Sequence, residues 1–271
     1  MPYADEQRRP TTEVLANKVP AVTVGFWALK ALTTAMGESA SDFLVHAISP
    51  EAAVLLGFAA FCVAMTIQLR SRRYVPWVYW LAVCMVGVFG TMAADVLHVG
   101  LGVPYIASTI AFAVTLTAIF VAWHRTERTL SVHSINTRRR EIFYWLAVVA
   151  TFALGTAAGD LLAVTLHFGY LSAGLAFSGM ILLPLAGYVR FRIDAVLTFW
   201  TGYVLTRPLG ASYADWLSVP HARGGLDLGP GPVSAILIGL IACSVACMSF
   251  VRTAADRENT QARSEVGGVM L

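Results

Sequence analysis

The sequence predicts an all-α, polytopic membrane protein: eight transmembrane helices in four parallel two-helix repeats, with the odd-numbered helices inside. Three observations lead there. Of the 271 residues, 57% are hydrophobic and only 13% charged, and the mean hydropathy is +0.67, too apolar for an ordinary soluble core. The apolar stretches between charged clusters reach about 20 residues, the length a helix needs to cross the hydrocarbon layer. One polar pattern, exemplified by "GTMAADVLH" (90–98) and "GTAAGDLLA" (155–163), recurs inside these stretches.

The segments run 21–45, 52–69, 75–99, 104–123, 142–166, 170–189, 195–219 and 232–251. The first follows a polar segment, 1–19, and is too long and too late for a cleavable signal sequence. It carries Lys30, Glu38 and Asp42 among apolar residues, whereas the second holds no charge. The third and fifth each contain a single aspartate, Asp95 and Asp160, and the fourth, sixth and eighth have no charge well inside them. The seventh contains Arg207 and Asp215, and its Pro208 predicts a break in the helix. The tail, 252–271, is polar and predicts disorder.

Orientation follows from the basic residues, which favour cytoplasmic loops. Arg8, Arg9 and Lys18 precede the first span; Arg70, Arg72 and Arg73 follow the second; Arg125, Arg128, Arg138, Arg139 and Arg140 follow the fourth. Arg190 and Arg192 follow the sixth, Arg252, Arg257 and Arg263 follow the eighth, and the opposite loops hold only Arg223. Both termini are therefore expected in the cytoplasm, with the chain in a bacterial inner membrane. The net charge of +3 belongs to these loops, so no nucleic-acid partner is expected. The loop "HRTERTLSVHSINTRRR" (124–140) marks topology and is placed to touch anionic headgroups. Cys62, Cys84, Cys243 and Cys247 all lie within spans, which argues against a disulfide framework.

Aligning the odd spans exposes an internal repeat of about 20–70, 74–125, 139–190 and 194–251. Each copy has an aromatic residue followed by Trp27, Trp80, Trp145 or Trp200; ten residues on comes Gly37, Gly90, Gly155 or Gly210; five further comes Asp42, Asp95, Asp160 or Asp215. Two crossings per copy return the chain to the same side, so the copies share one orientation about an axis along the membrane normal.

This architecture resembles that of the bacterial membrane proteins built from four tandem copies of a repeat of unknown function, each with two transmembrane segments and a characteristic tryptophan. The resemblance covers residues 20–250 and rests on Trp27, Trp80, Trp145 and Trp200. It implies the eight-helix fold and brings no activity with it.

Function must therefore be read from the residues. At about 100° per residue, the polar groups of each odd span fall within an arc of about 80°. This stripe carries Thr34, Glu38 and Asp42 in the first copy; Thr91, Asp95 and His98 in the second; Thr156 and Asp160 in the third; and Arg207 and Asp215 in the fourth. Carboxylates facing lipid cost several kcal/mol, so the stripes are expected to converge on a wet cavity opening away from the cytoplasm. Five acids on or near the stripe face only two bases, Lys30 and Arg207, each expected to pair with a carboxylate. The tryptophans read as an interfacial belt and the glycines as close helix contacts.

Such an acidic cluster predicts transport or exchange of a cation, divalent metal or proton, at Asp42, Asp95, Asp160, Asp215 and Glu38, with Thr34, Thr91, Thr156, His98, Arg207 and Lys30 in support. The metal would be cargo and no cofactor is expected. A non-transporting scaffold or sensor is the alternative. An intramembrane enzyme is a second alternative that the sequence disfavours: "AAGD" lacks a Gly-x-Gly-Asp motif and no His-Glu-x-x-His occurs.

Overall fold

The computed structural model describes residues 17–268. Among them are eight α-helices and no strand: α1 Val24–Ala47, α2 Pro50–Arg70, α3 Pro76–Asp95, α4 Tyr105–Glu127, α5 Arg138–Asp160, α6 Tyr170–Phe191, α7 Ala195–Ser218 and α8 Pro230–Gly268. Short polar residues and prolines set the starts. The Thr23 hydroxyl accepts from the Phe26 amide, Ser49 caps α2 ahead of Pro50, and the Asp194 carboxylate accepts from the Val196 and Leu197 amides. After Asp95 and after Asp160 the backbone passes into one π-helical turn, Val96–Gly100 and Leu161–Thr165, in the second and third copies alone among the described residues.

Six helices are long and apolar enough to cross a membrane: α2, α3, α4, α5, α6 and α8. The protein is an integral, multi-pass membrane protein. The other two, α1 and α7, are each 24 residues long but carry Lys30, Glu38 and Asp42, and Arg207 and Asp215. Their polar residues are buried: Lys30, Thr33, Thr34, Glu38, Thr206 and Arg207 are each at most 5% exposed.

Burial separates two layers. The apolar windows of α3 and α5 are 61% and 56% buried, against 17–28% for α2, α4, α6 and α8. The inner helices contact one another in a closed ring, α1 to α3 to α5 to α7 and back to α1. Matching levels meet: Phe26 lies against Trp80 and Phe199, Tyr79 against Trp145, and Tyr144 against Trp200. Each outer helix packs chiefly on the inner helix of the following copy, α2 on α3, α4 on α5 and α6 on α7, and α8 closes the circle on α1.

Two expectations are corrected. Pro208 does not break the seventh span: α7 is continuous from Ala195 to Ser218. The proline ring fits against small residues on α5, where a Cβ at Gly155 or Gly159 would stand 3.0 Å or 3.5 Å from it. Within the tail expected to be disordered, residues 252–268 continue α8 as helix. Residues 1–16, with Arg8 and Arg9, and residues 269–271 lie outside the described residues.

Candidate functional site: a polar column inside the helix ring

The repeat brings equivalent residues to equivalent levels, so the ring interior is built in layers. At the tryptophan end, Trp80, Trp145 and Trp200 are 1%, 3% and 4% exposed, and Trp27 is half-buried. They do not form the interfacial belt expected of them. Their rings pack with Phe26, Tyr79, Tyr144, Phe199 and Tyr203 into one aromatic plug, because the residues that open each copy point at the ring's axis. The α4–α5 loop covers the plug. The Trp200 indole donates to the Leu130 carbonyl at 3.0 Å, and Val132 and Ile135 are buried. Beside it, fully buried Glu141 accepts from Lys18 at 2.6 Å and from Gln68 at 3.3 Å.

Halfway along the ring sits Arg207, 0% exposed. Its guanidinium collects two groups from the first copy and one from each of the second and third. It donates to the Glu38 carboxylate at 2.6 Å, to the Thr34 carbonyl at 3.0 Å, to the Thr156 hydroxyl at 2.9 Å and to the Thr91 hydroxyl. Thr91 also donates to Glu38 at 3.3 Å. Glu38, Thr91 and Thr156 occupy one repeat position, and Ala211 fills it in the fourth copy. The small residue there leaves the centre to the arginine.

Three of the four repeat glycines make this closeness possible. A Cβ on Gly155 would lie 2.4 Å from the Arg207 Cγ, one on Gly210 2.1 Å from the Thr34 Oγ1, and one on Gly37 2.8 Å from the Gly87 Cα. Gly90 is less crowded, its nearest neighbour being Phe152 at 3.2 Å.

Lys30 pairs with no carboxylate, contrary to expectation. Its Nζ lies 4.0 Å from the centre of the Phe152 ring and 4.2 Å from that of Tyr203. Glu38, about two turns along the same helix, is held by Arg207.

Beyond Arg207 come the aspartates, in or near the last turns of their helices. Asp42, Asp95 and Asp160 are half-buried and Asp215 is 9% exposed. Asp95 feels Glu38, Asp160 and Asp42; Asp215 feels Glu38, Asp42 and Asp160; and Arg207 acts on all four. Among the described residues no hydrogen bond is made by these carboxylates. They therefore face a common region without being tied off singly. Among the described residues, though, no three His, Cys, Asp or Glu side chains stand close enough to hold a metal ion. The expected metal set of Asp42, Asp95, Asp160 and Asp215 is thus a rim of separate carboxylates, since each sits on its own helix around the ring.

His98, one turn beyond Asp95, is bonded within the turn into α4. Its Nδ1 meets the Val103 carbonyl at 3.0 Å, its Nε2 meets the Ser108 hydroxyl at 3.3 Å, and its ring stacks on Tyr105 at 3.9 Å, so it pins the turn into α4. Two rim residues escaped the sequence reading. Tyr105 and Tyr170 open α4 and α6 and lie within electrostatic reach of Asp95 and Asp160, and of Asp160 and Asp215, respectively. Both stand 25 residues beyond the tryptophan of their copy, the signal that would have found them. Arg223 donates to the Tyr170 hydroxyl at 2.7 Å.

The chain matches the Repeat of Unknown Function (DUF347) four times, over residues 25–74, 78–129, 143–194 and 198–254. It belongs to this family. The four matches each begin just before the tryptophan; the first three end after an outer helix and the fourth ends within α8, so the match follows the unit that stacks around the ring. No curated protein and no solved structure matches the chain.

Proposed function

We propose that this repeat protein transports or exchanges a cation, taken as protons or as a hydrated divalent ion at the aspartate rim. In this reading all eight helices cross the membrane as four parallel hairpins. The more polar α1 and α7 are tolerated because the ring shields them from lipid. Both termini lie in the cytoplasm of a bacterial inner membrane, with the aspartates toward the opposite face, as the placement of basic residues indicates.

The observation that carries the reading is the group of four aspartates from one position of the four copies, each within electrostatic reach of at least one other and none making a side-chain hydrogen bond among the described residues. Two carboxylates about 6 Å apart repel by roughly 3 kcal/mol at an effective dielectric near 20. A rim of this kind lowers its energy by binding a cation or by taking up protons, and the two compete. Separate carboxylates suit an ion that keeps part of its water, as Mg²⁺ does, better than a dehydrated one. Arg207 fills the centre of the ring beneath the rim with a fully buried side chain bonded to three neighbouring helices, which obstructs a cation running straight through. Alternating access fits that obstacle better than a passive pore. No catalytic constellation enters this reading.

A scaffold role is the second reading, favoured by one observation: Arg207 ties α7 to α1, α3 and α5 at once. Purified protein in liposomes with a trapped fluorescent indicator for Mn²⁺, used as a probe divalent ion, separates the two. Transport requires Mn²⁺ flux in the wild type and its loss in Asp95→Asn and Asp160→Asn while the variants stay monodisperse. Undiminished flux in both variants would refute the rim assignment. No wild-type flux of Mn²⁺ or protons, with Asn variants that lose thermal stability, points to the scaffold.

A further inference from the structure

The four outer helices differ in how much of them the rest of the chain covers. α4 packs on α5, and 17% of its apolar window is buried, the smallest share of the four. Its outward side is concave. An open hollow of about 340 Å³ is lined by Thr117, Phe120, Val121, His124 and Arg125 of α4, with Leu130 of the α4–α5 loop at its end. A second hollow, of about 500 Å³, continues from Thr117 and Val121 along the helix to Ile110. The two form one groove with an apolar length and a basic end.

Small side chains make the groove and an aromatic one backs it. Ala113, Thr117 and Ala118 leave room between the larger Ile110, Val114 and Val121, and the Thr117 hydroxyl is turned back onto the Ala113 carbonyl at 2.8 Å, so it asks for no partner from outside. At the basic end the Phe120 ring lies 4.9 Å from that of Trp200, and the Leu130 carbonyl accepts from the Trp200 indole. The groove therefore runs up to the outer edge of the aromatic plug.

Charge and length select the occupant. The side chains of Arg125 and His124 are exposed, and among the described residues neither makes a hydrogen bond or an ion pair. Glu127, two residues on, is held by Arg140 at 2.9 Å and by Arg139 at 3.6 Å. From Ile110 to Val121 the helix rises about 16 Å at 1.5 Å per residue, close to the roughly 15 Å of hydrocarbon in one leaflet. One acyl chain hanging from the basic end covers that length. A helix from a second copy, related by a two-fold axis along the membrane normal, would run past it and bring a second Arg125 toward the first.

We propose that the α4 groove binds an anionic phospholipid, its phosphate at Arg125 and His124 and one acyl chain lying along Val121, Thr117 and Val114 to Ile110. The guanidinium offers a planar fork of donors matched to phosphate oxygens, and the imidazole adds a ring N–H. The proposal does not rest on cation transport at the rim; it requires only that α4 lies in the membrane.

The test uses the full chain in detergent, with dioleoyl-phosphatidylglycerol and dioleoyl-phosphatidylcholine as probes and native mass spectrometry as the readout. The wild type is expected to bind one phosphatidylglycerol about fivefold more tightly than phosphatidylcholine, the effect of about one basic side chain at an anionic headgroup. Arg125→Gln is expected to abolish that preference and leave phosphatidylcholine binding as it was. Thr117→Phe, at the point where the two hollows meet, is expected to weaken both lipids several-fold. Both replaced side chains are exposed, so neither variant disturbs the core. Arg190→Gln makes the same charge change in the last turn of α6 and is expected to alter neither affinity. Equal binding of the two lipids by the wild type, or undiminished phosphatidylglycerol binding in either Arg125→Gln or Thr117→Phe, overturns the proposal. So does an equal loss of preference in Arg190→Gln, which would mark a general effect of charge. A wild type of twice the chain's mass that Thr117→Phe turns into single chains, without preference for phosphatidylglycerol, assigns the face to a second copy and overturns the proposal as well.

Discussion

Replacing Arg207 by methionine tests whether the centre of the ring is held by an ion pair or only filled by a side chain. Arg207 is 0% exposed and its partner Glu38 5%, and the two meet at 2.6 Å. Arg207→Met removes the cation and leaves Glu38 buried beside the neutral hydroxyl of Thr91. Breaking one side of a buried pair costs about 3–5 kcal/mol, most of it the cost of the stranded charge. The double variant Arg207→Met with Glu38→Met strands nothing and recovers most of that cost, because apolar replacement of a whole pair is close to neutral. For a chain of this size, about 1 kcal/mol corresponds to a shift of roughly 2–4 °C in Tm. Thermal unfolding in detergent, followed by intrinsic tryptophan fluorescence at one fixed scan rate, should therefore place the single variant at least about 6 °C below the wild type. The double variant should lie between the two. A single variant as stable as the wild type, or a double variant less stable than the single, would refute the stranded-charge reasoning.

Other expectations follow from the packing. Gly155→Ala places a methyl where the Arg207 Cγ is 2.4 Å away and should cost about 1–3 kcal/mol by overpacking. Gly179→Ala meets no atom within 4 Å and should be neutral in the same thermal assay. Trp200→Phe deletes the 3.0 Å bond to the Leu130 carbonyl, a loss of about 1 kcal/mol, and should speed trypsin cleavage in the loop between Arg128 and Arg138. Lys18→Met strands the fully buried Glu141, which keeps only the 3.3 Å bond from Gln68. It should lower thermal stability more than Arg139→Met, whose side chain is 70% exposed and whose ion pair spans 3.6 Å.

Read along the chain, the site divides into what one helix can announce and what needs four. The membrane class, the helical segments and the fourfold pattern were legible because hydrophobic length and repeat spacing are properties of the chain alone. So was the shared side of Glu38, Thr91, Thr156, Arg207 and the aspartates, since helical geometry places offsets of 4, 7, 11 and 15 residues on one face. The pairing of Arg207 with an acid could also be anticipated, because a cation beside a surplus of acids inside a membrane has few alternatives.

The tertiary structure decided the rest. Whether Lys30 meets a carboxylate or the faces of Phe152 and Tyr203 depends on the rotation of α5 and α7 about α1, which no single span encodes. The tryptophans read as a lipid-facing belt because their position near a helix end fits one; they become a plug only when four copies turn the same face inward. Pro208 breaks a helix in isolation, and here the room left at Gly155 and Gly159 of a neighbouring helix lets α7 pass through it. In each case the spacing within one helix is set by local covalent and hydrogen-bond geometry, whereas the contact across helices is set by packing, and packing becomes specific only when the ring closes.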